Sequence, residues 1–403
     1  MGTNARPPQP HRPLPLLGGL TPCEFMRRHW QRAPLLVRGA LADFASPLER
    51  RDLFALAARD DVESRLVRKS ASGWALVHGP LSRKQIPPLR EPGWTLLVQG
   101  VDVHDAAARS LLDRFRFVPD ARLDDLMISW ASDGGGVGPH ADSYDVFLLQ
   151  ARGVRRWRIA RRYDAALDER APLEVLRRFT PEQEHVLAAG DLLYLPPNWA
   201  HDGVAIGGDC VTCSIGMRAP RRGDLAGELA QRLAETYDDA KLYRDPEQPA
   251  TASPAAIPQS LARFAADALR RLAGRPEAVA RALGEVLSEP KAHVWFEKRT
   301  TRWRPAAVVL DRRTRMLYDA RRVYINGEAV RVPATTRRCC AGSPASVRST
   351  PRASAARARP FAGFSRNGLQ PAGSSDRSAH RFERHPRERS RARRRPRSLG
   401  GET

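Results

Sequence analysis

Three polar residues in otherwise apolar surroundings carry the most specific chemistry this sequence offers. His140 and Asp142 stand two apart in GPHADSYDVFLLQ, and His201 follows 61 residues later in LLYLPPNWAHDGVAI. Residues i and i+2 of a strand point to the same face, so an imidazole and a carboxylate at this spacing converge. An aspartate entering an apolar run is costly unless something neutralises it, and a bound cation does that. A third ligand from a later strand completes His-x-Asp…His, a facial triad of two histidines and one carboxylate. That donor set suits Fe(II) and leaves positions open for O2 and a co-substrate. The competing reading is a surface histidine beside a loop aspartate, with His201 satisfied in a turn. His78, His104, His185 and His293 have no such spacing and read as structural or exposed.

The same stretch runs on into RGVRRWRI. Oxygenases built on this triad use 2-oxoglutarate, whose distal carboxylate needs a cation deep in the fold. A guanidinium meets a carboxylate with two parallel N–H donors. Arg152, Arg155, Arg156 and Arg158 compete for that task. Alternation places Arg156 and Arg158 on one face and Arg155 on the other with Trp157. A solvated basic strand accounts for those not used.

The elements that must position these residues follow from the hydrophobic rhythm. Thr21 reads as the N-cap of a helix, with Pro22 at its first position and Glu24 at its third; SPLERRDLFALAARDD reads as a second helix. Then come short apolar runs broken by Gly, Pro and Asp: SGWALVHGPL, GWTLLVQGV, DLMISWAS, YDVFLLQA, RRWRIA, EHVLAAGDLLYLPP and CVTCSIGM. That is an all-β rhythm of sandwich or barrel type. The glycines of DGGGVGPH give a flexible approach to the strand mouth, and Arg155 falls on the strand after the one His140 enters. Past Arg218 the period returns to helical, with Leu225, Leu229, Leu233 and Tyr237 on one face and a break near Gly274 and Pro276. Asn326-Gly327 between apolar residues marks a hairpin.

Composition bounds the rest. The 403 residues allow two or three domains, and 42% hydrophobic content supports a core. The formal charge of +22 is uneven: residues 334–403 hold seventeen Arg, no Lys and four acidic residues, leaving +9 to residues 1–333. That tail has no periodicity and reads as disordered. A basic RNA-binding arm is its functional reading. Arg without Lys, amid Ala, Pro, Gly and Ser, is also what a GC-rich gene yields out of frame. The five cysteines show no disulfide framework, Cys210 and Cys213 read as ordinary strand residues, and the usage fits a reducing cytosol. No signal-peptide core, myristoylation signal or membrane span is evident.

The strings GGGVGPHADSYDVFLLQARGVRRWRI, YLPPNWAHDG and SIGMRAP, with FMRRHWQRAPLLVRGA upstream, resemble the bacterial ribosomal oxygenases of the JmjC/cupin family. The resemblance implies an Fe(II)- and 2-oxoglutarate-dependent, O2-consuming dioxygenase. Its substrate would be an arginine side chain of a large-subunit ribosomal protein, hydroxylated at the β-carbon. It implies His140, Asp142 and His201 as the iron ligands, Arg155 as the residue that holds 2-oxoglutarate, and Thr212 as a polar helper on the last barrel strand. The implied architecture is mixed α and β. After a Pro-rich segment 1–20 comes a JmjC/cupin catalytic domain over 21–218, a double-stranded β-helix (jelly-roll) with N-terminal helices. A helical dimerisation region over 219–290, a partial winged-helix-like module over 291–333 and the Arg-rich tail 334–403 follow. A cytoplasmic homodimer is expected. Asp133 and Asp145 are the candidate mouth carboxylates for a cationic substrate. Two other readings stand beside this one. One is a JmjC-type lysine hydroxylase or demethylase on the same scaffold. The other is a non-catalytic basic protein that binds nucleic acid, a property the enzyme reading permits but does not require.

Overall fold

The chain begins its regular structure where its first cap predicts. In the computed structural model α1 covers Pro22–Arg28, and the Thr21 side chain accepts the Glu24 backbone N–H while Glu24 reaches back to Thr21 N. Short β1 (Leu35–Val37) and α2 (Arg50–Ala57) follow, then the hairpin β2 (Ser64–Ser70) and β3 (Gly73–His78). Next come β4 (Trp94–Val98), α3 (Val101–His104), α4 (Ala106–Asp113) and β5 (Leu123–Ala131). The site region contains β6 (His140–Ala141), β7 (Val146–Ala160), β8 (Gln183–Leu187), β9 (Leu192–Leu195) and β10 (Ala200–Met217). Three helices, α5 (Arg222–Ala234), α6 (Gln259–Ala273) and α7 (Pro276–Ser288), precede the small strands β11 (Val308–Val309), β12 (Met316–Tyr318), β13 (Arg322–Ile325), β14 (Glu328–Arg331) and β15 (Ser346–Val347). The described residues are 7–296 and 308–332, with the strand at Ser346–Val347. The rest of the tail expected over 334–403 lies outside them. Among the described residues no helix is long and apolar enough to cross a membrane.

Ten of the strands form one antiparallel sheet in the order β1-β9-β7-β10-β5-β4-β2-β3, with β6 added to β10 and β8 to β7. Two long strands organise it. The first half of β7 pairs with β9 and its second half with β8. The start of β10 pairs with β6 and its end with β5. The sheet therefore divides around β7 and β10. This corrects the reading of YDVFLLQA and RRWRIA as separate strands: Gly153, at φ +66°, lets β7 bend without breaking. The register of β7 with β10 shifts between Ile206 and Thr212, where Gly207 and Gly208 hold positive φ. It also corrects the strand that His140 was expected to enter, since β6 stops after two residues and Asp142 lies just beyond it.

Alternation along β7 splits its side chains between two apolar clusters. Phe147 and Leu149 join the larger core with Phe25, Phe115, Trp94, Trp130 and Tyr194. Val146, Leu148, Trp157 and Ile159 face the other way, against Leu187, Leu193, Leu195 and Trp199. The helices after Met217 begin and break as the periodicity predicts, except that α5 ends at Ala234 and leaves Tyr237 outside. The Asn326-Gly327 turn joins β13 to β14 with both residues at positive φ.

Asp145 is a structural anchor of this fold. Its carboxylate is fully buried. It accepts hydrogen bonds from Tyr194 Oη at 2.6 Å, Gln31 Nε2 at 2.9 Å and Arg122 Nη2 at 3.4 Å. It ties the segment after α1 to the sheet, so the expectation that Asp145 waits at the mouth for a substrate is corrected: its acceptors are already used. Asp145→Ala leaves buried donors without a partner and should cost about 3 kcal/mol of stability in urea unfolding. A loss below about 1 kcal/mol would contradict the anchor.

Candidate metal centre

Backbone pairing brings the first two histidines together. His140 of β6 stands opposite His201 of β10 in the antiparallel register, and their ring centroids are 4.3 Å apart. Asp142 comes back to the pair just past β6, where its carbonyl accepts the Asn198 N–H at 2.7 Å. The Asp142 carboxylate lies 3.7 Å from His201 Nε2 and 4.0 Å from His140 Nε2. One ligand atom from each residue falls within 4.8 Å of the other two.

The outer atoms fix which nitrogen faces the centre. His140 Nδ1 lies 2.9 Å from the Gly138 carbonyl and His201 Nδ1 2.9 Å from the Trp199 carbonyl. A carbonyl only accepts, so each Nδ1 carries the proton and each Nε2 presents a lone pair. Burial and the neighbouring His140 push the His201 imidazole down to about 4, which keeps it neutral and ready to ligate. The glycines ahead of His140 serve close packing rather than looseness. A Cβ on Gly138 would meet the Trp74 ring at 2.8 Å, and one on Gly136 would meet the Gly203 carbonyl at 2.6 Å.

The four competing arginines differ in burial and partners, although Nε of Arg156 and of Arg158 is also buried without a partner. Arg155 is 4% exposed, and its Nη1 donates to the Gly203 carbonyl at 3.2 Å. Its Nε and Nη2 are buried with no partner. Arg158 pairs with Asp202, and Arg152 pairs with Glu49 and Asp209 at the surface. Arg156 lies on the Arg158 side of β7, half-buried. A buried guanidinium with two unclaimed nitrogens fits a carboxylate ligand, and the donor set of the triad fits a divalent metal.

The remaining expected residues have partners within the protein. Thr212 is buried on β10 and donates to Gln150 Oε1 at 2.9 Å. Asp133 is exposed, and its carboxylate receives the Gly207 N–H at 2.8 Å. Sequence reasoning missed the carboxylates of a 330 Å³ cavity beside Tyr144, two residues past Asp142: Asp124, Glu228 and Glu289, with Met217 and Arg218. Tyr144 is 38% exposed, yet desolvation on its packed side and the adjacent Asp142 carboxylate raise its phenol above the ordinary range. Asp125, on the neighbouring stretch of β5, was also missed. Burial pushes its carboxyl up to about 6 although the Lys291 ammonium lies 3.5 Å away. No local spacing marks these groups, because α5, α7 and β5 meet only in the fold.

Two outcomes test this geometry. His140→Ala or Asp142→Ala should weaken Mn(II) binding by roughly a hundredfold in calorimetry, and unchanged binding would remove the site. For the metal-free protein, His201 has a lower pKa folded than unfolded, so the unfolded chain binds more protons between about 6.5 and 4. Stability should therefore fall as pH falls through that window, less steeply in His201→Asn. Equal slopes in chelator-treated samples would contradict the burial of a neutral His201.

Comparison with known proteins agrees with the geometry. Residues 110–225 match the JmjC domain family model. The chain is similar to the ribosomal protein uL16 3-hydroxylase of Escherichia coli (strain K12), 34% identical over 272 residues, 66% of this chain and 71% of the relative. It is 36% identical over 228 residues to a probable ribosomal oxygenase of Haemophilus influenzae, 55% of this chain and 56% of that one. The crystal structure of E. coli YcfD superposes with a TM-score of 0.72 at 30% identity, over 81% of this chain and 90% of that chain. The same ribosomal oxygenase in complex with cobalt and 2-oxoglutarate gives 0.68 at 31% identity, over the same shares. With its His-x-Asp…His cluster at the heart of a large antiparallel sheet, the chain belongs to the bacterial ribosomal oxygenases of the JmjC family.

Proposed function

We propose that this protein is an Fe(II)- and 2-oxoglutarate-dependent oxygenase that hydroxylates an arginine side chain of ribosomal protein uL16 at the β-carbon. The observation that carries the reading is the buried Arg155 guanidinium with two unclaimed nitrogens, linked through the Trp157 ring to His201 of the triad. In this reading His140, Asp142 and His201 hold the metal, and Arg155 holds the distal carboxylate of 2-oxoglutarate. When bound, iron and 2-oxoglutarate supply the oxidation: O2 is consumed, succinate and CO2 are released, and one oxygen enters the substrate C–H bond.

The chain's own residues do the positioning. The Gly138 and Trp199 carbonyls hold both imidazoles in one tautomer. Val146, Leu148, Ile159 and Trp199 pack with Trp157 in one buried apolar cluster. Thr212 and Gln150 satisfy each other within the sheet. The cavity beside Tyr144 is lined by Asp124, Glu228, Glu289 and Arg218, with Asp124 paired to Arg218 and Lys291 and Glu289 paired to Arg232. Eukaryotic relatives named as bifunctional lysine-specific demethylase and histidyl-hydroxylase match less of this chain, 26% for the Dictyostelium discoideum protein and 47% for that of Aedes aegypti, against 66% for the uL16 3-hydroxylase, so the arginine reading is preferred.

The wider assignment is of the same kind. The division of the sheet around β7 and β10 supports a double-stranded β-helix. Helix α6, which buries no residue and exposes Leu269, supports self-association into a homodimer, and the β12–β14 sheet supports a partial winged-helix-like module. A ribosomal-protein substrate supports a cytoplasmic location.

With Fe(II), the protein should release succinate faster when given uL16 fragments, and a fragment with lysine in place of the target arginine should not stimulate. Arg155→Ala should raise the KM for 2-oxoglutarate by more than about tenfold while leaving metal affinity intact. No stimulation by any arginine-containing uL16 fragment would overturn the substrate assignment.

A further inference from the structure

One buried donor beside the triad has no partner. Trp157 lies on β7 opposite Gly203 of β10 and His185 of β8, and its side chain is 6% exposed. Gly203 makes its seat: a Cβ there would come within 2.5 Å of the indole ring. The ring lies close to both functional groups of the site. Its centroid is 5.8 Å from that of His201 and 5.7 Å from the Arg155 guanidinium carbon. The indole nitrogen is buried and makes no hydrogen bond.

That orphan is unusual within this protein. Trp94 Nε1 donates to the Pro88 carbonyl at 3.3 Å, and Trp130 Nε1 donates to Asp209 Oδ1 at 2.8 Å. Buried indole N–H groups ordinarily find an acceptor, because leaving one unmade forfeits its hydration without return. Two nitrogens of the adjacent Arg155 are orphaned in the same way. Three unclaimed donors on neighbouring side chains of one strand face define the complement of a ligand that brings acceptors only, and a carboxylate is such a ligand.

We propose that the Trp157 indole N–H donates to the distal carboxylate of 2-oxoglutarate, making with Arg155 Nε and Nη2 a three-donor cradle for that group. The inference rests on the reading of the site as a 2-oxoglutarate site. It makes Trp157 a co-substrate specificity residue: the N–H favours keto acids that carry a second carboxylate at this distance from the metal, and it gives nothing to those that lack one.

The test uses the full chain loaded with Zn(II), so that no turnover intervenes. Binding is measured by calorimetry for 2-oxoglutarate and for 2-oxopentanoate, the same keto acid without the distal carboxylate. Trp157→Phe should weaken 2-oxoglutarate binding about tenfold or more and leave 2-oxopentanoate and Zn(II) binding unchanged. Equal loss for both keto acids would mean that the ring only props the site, and no loss would mean that the N–H faces no ligand; either overturns the proposal. In the wild-type protein, the ¹⁵N-resolved Trp157 indole resonance should move downfield and exchange more slowly with solvent on adding 2-oxoglutarate. This readout does not depend on the variant folding, and an unmoved resonance in saturated protein overturns the proposal. Wild-type protein that binds Zn(II) but neither keto acid would instead overturn the reading of the site itself.

Discussion

The pairing of β6 with β10 is the contact on which the site depends. A two-residue strand is too short to be stable alone, and here it is held on the first residues of β10 with His140 directly opposite His201. That register sets two Nε2 lone pairs side by side and draws Asp142 across them. A slip of one residue would turn one imidazole to the opposite face of the sheet. The close-packed glycines before His140 and the turn before His201 therefore matter as much as the ligands: Gly136 and Gly138 admit the neighbouring Gly203 carbonyl and Trp74 ring, and Asn198 takes a positive φ while its N–H fixes Asp142.

From that pair the chemistry is distributed along β7 and β10 by alternation. One face of β7 builds the main core through Phe147 and Leu149, and the other turns Trp157 and Arg155 toward the triad. The two polar tasks are kept apart. Acceptors and lone pairs gather at the histidines and Asp142, where a cation would be neutralised. Unclaimed donors lie along this stretch of β7, two of them on the nearly buried Arg155 and one on Trp157, where an anion would be. Leaving such donors unmade in the interior costs stability, as functional sites often do, and the cost is offset elsewhere by anchors such as Asp145 with Tyr194 and Gln31.

Much of this was legible in the sequence because it is local. The Thr21–Glu24 capping box, the Asn326-Gly327 turn and the convergence of His140 with Asp142 each depend on residues a few positions apart. His201 was legible because a third ligand had to come from a later strand behind a turn. Other features were hidden for physical reasons. Bends at Gly153 and at Gly207-Gly208 keep β7 and β10 continuous where apolar runs look interrupted. Alternation could narrow the arginines to faces but could not tell a buried face from a solvated one; only the fold shows Arg155 enclosed. Asp145 read as a mouth carboxylate, but its partners Gln31, Arg122 and Tyr194 lie far away in sequence. The cavity beside Tyr144 is likewise assembled from β5, α5 and the end of α7, and its lining has no sequence signature.

The central claim is that this triad, with Arg155, oxidises uL16. The most direct measurement is the intact mass and peptide map of uL16 from cells that carry the gene and from cells in which it encodes Asp142→Ala. The account predicts one added oxygen on an arginine residue of uL16 in the first and none in the second. Oxygenated uL16 in both, or unmodified uL16 in both, would contradict it.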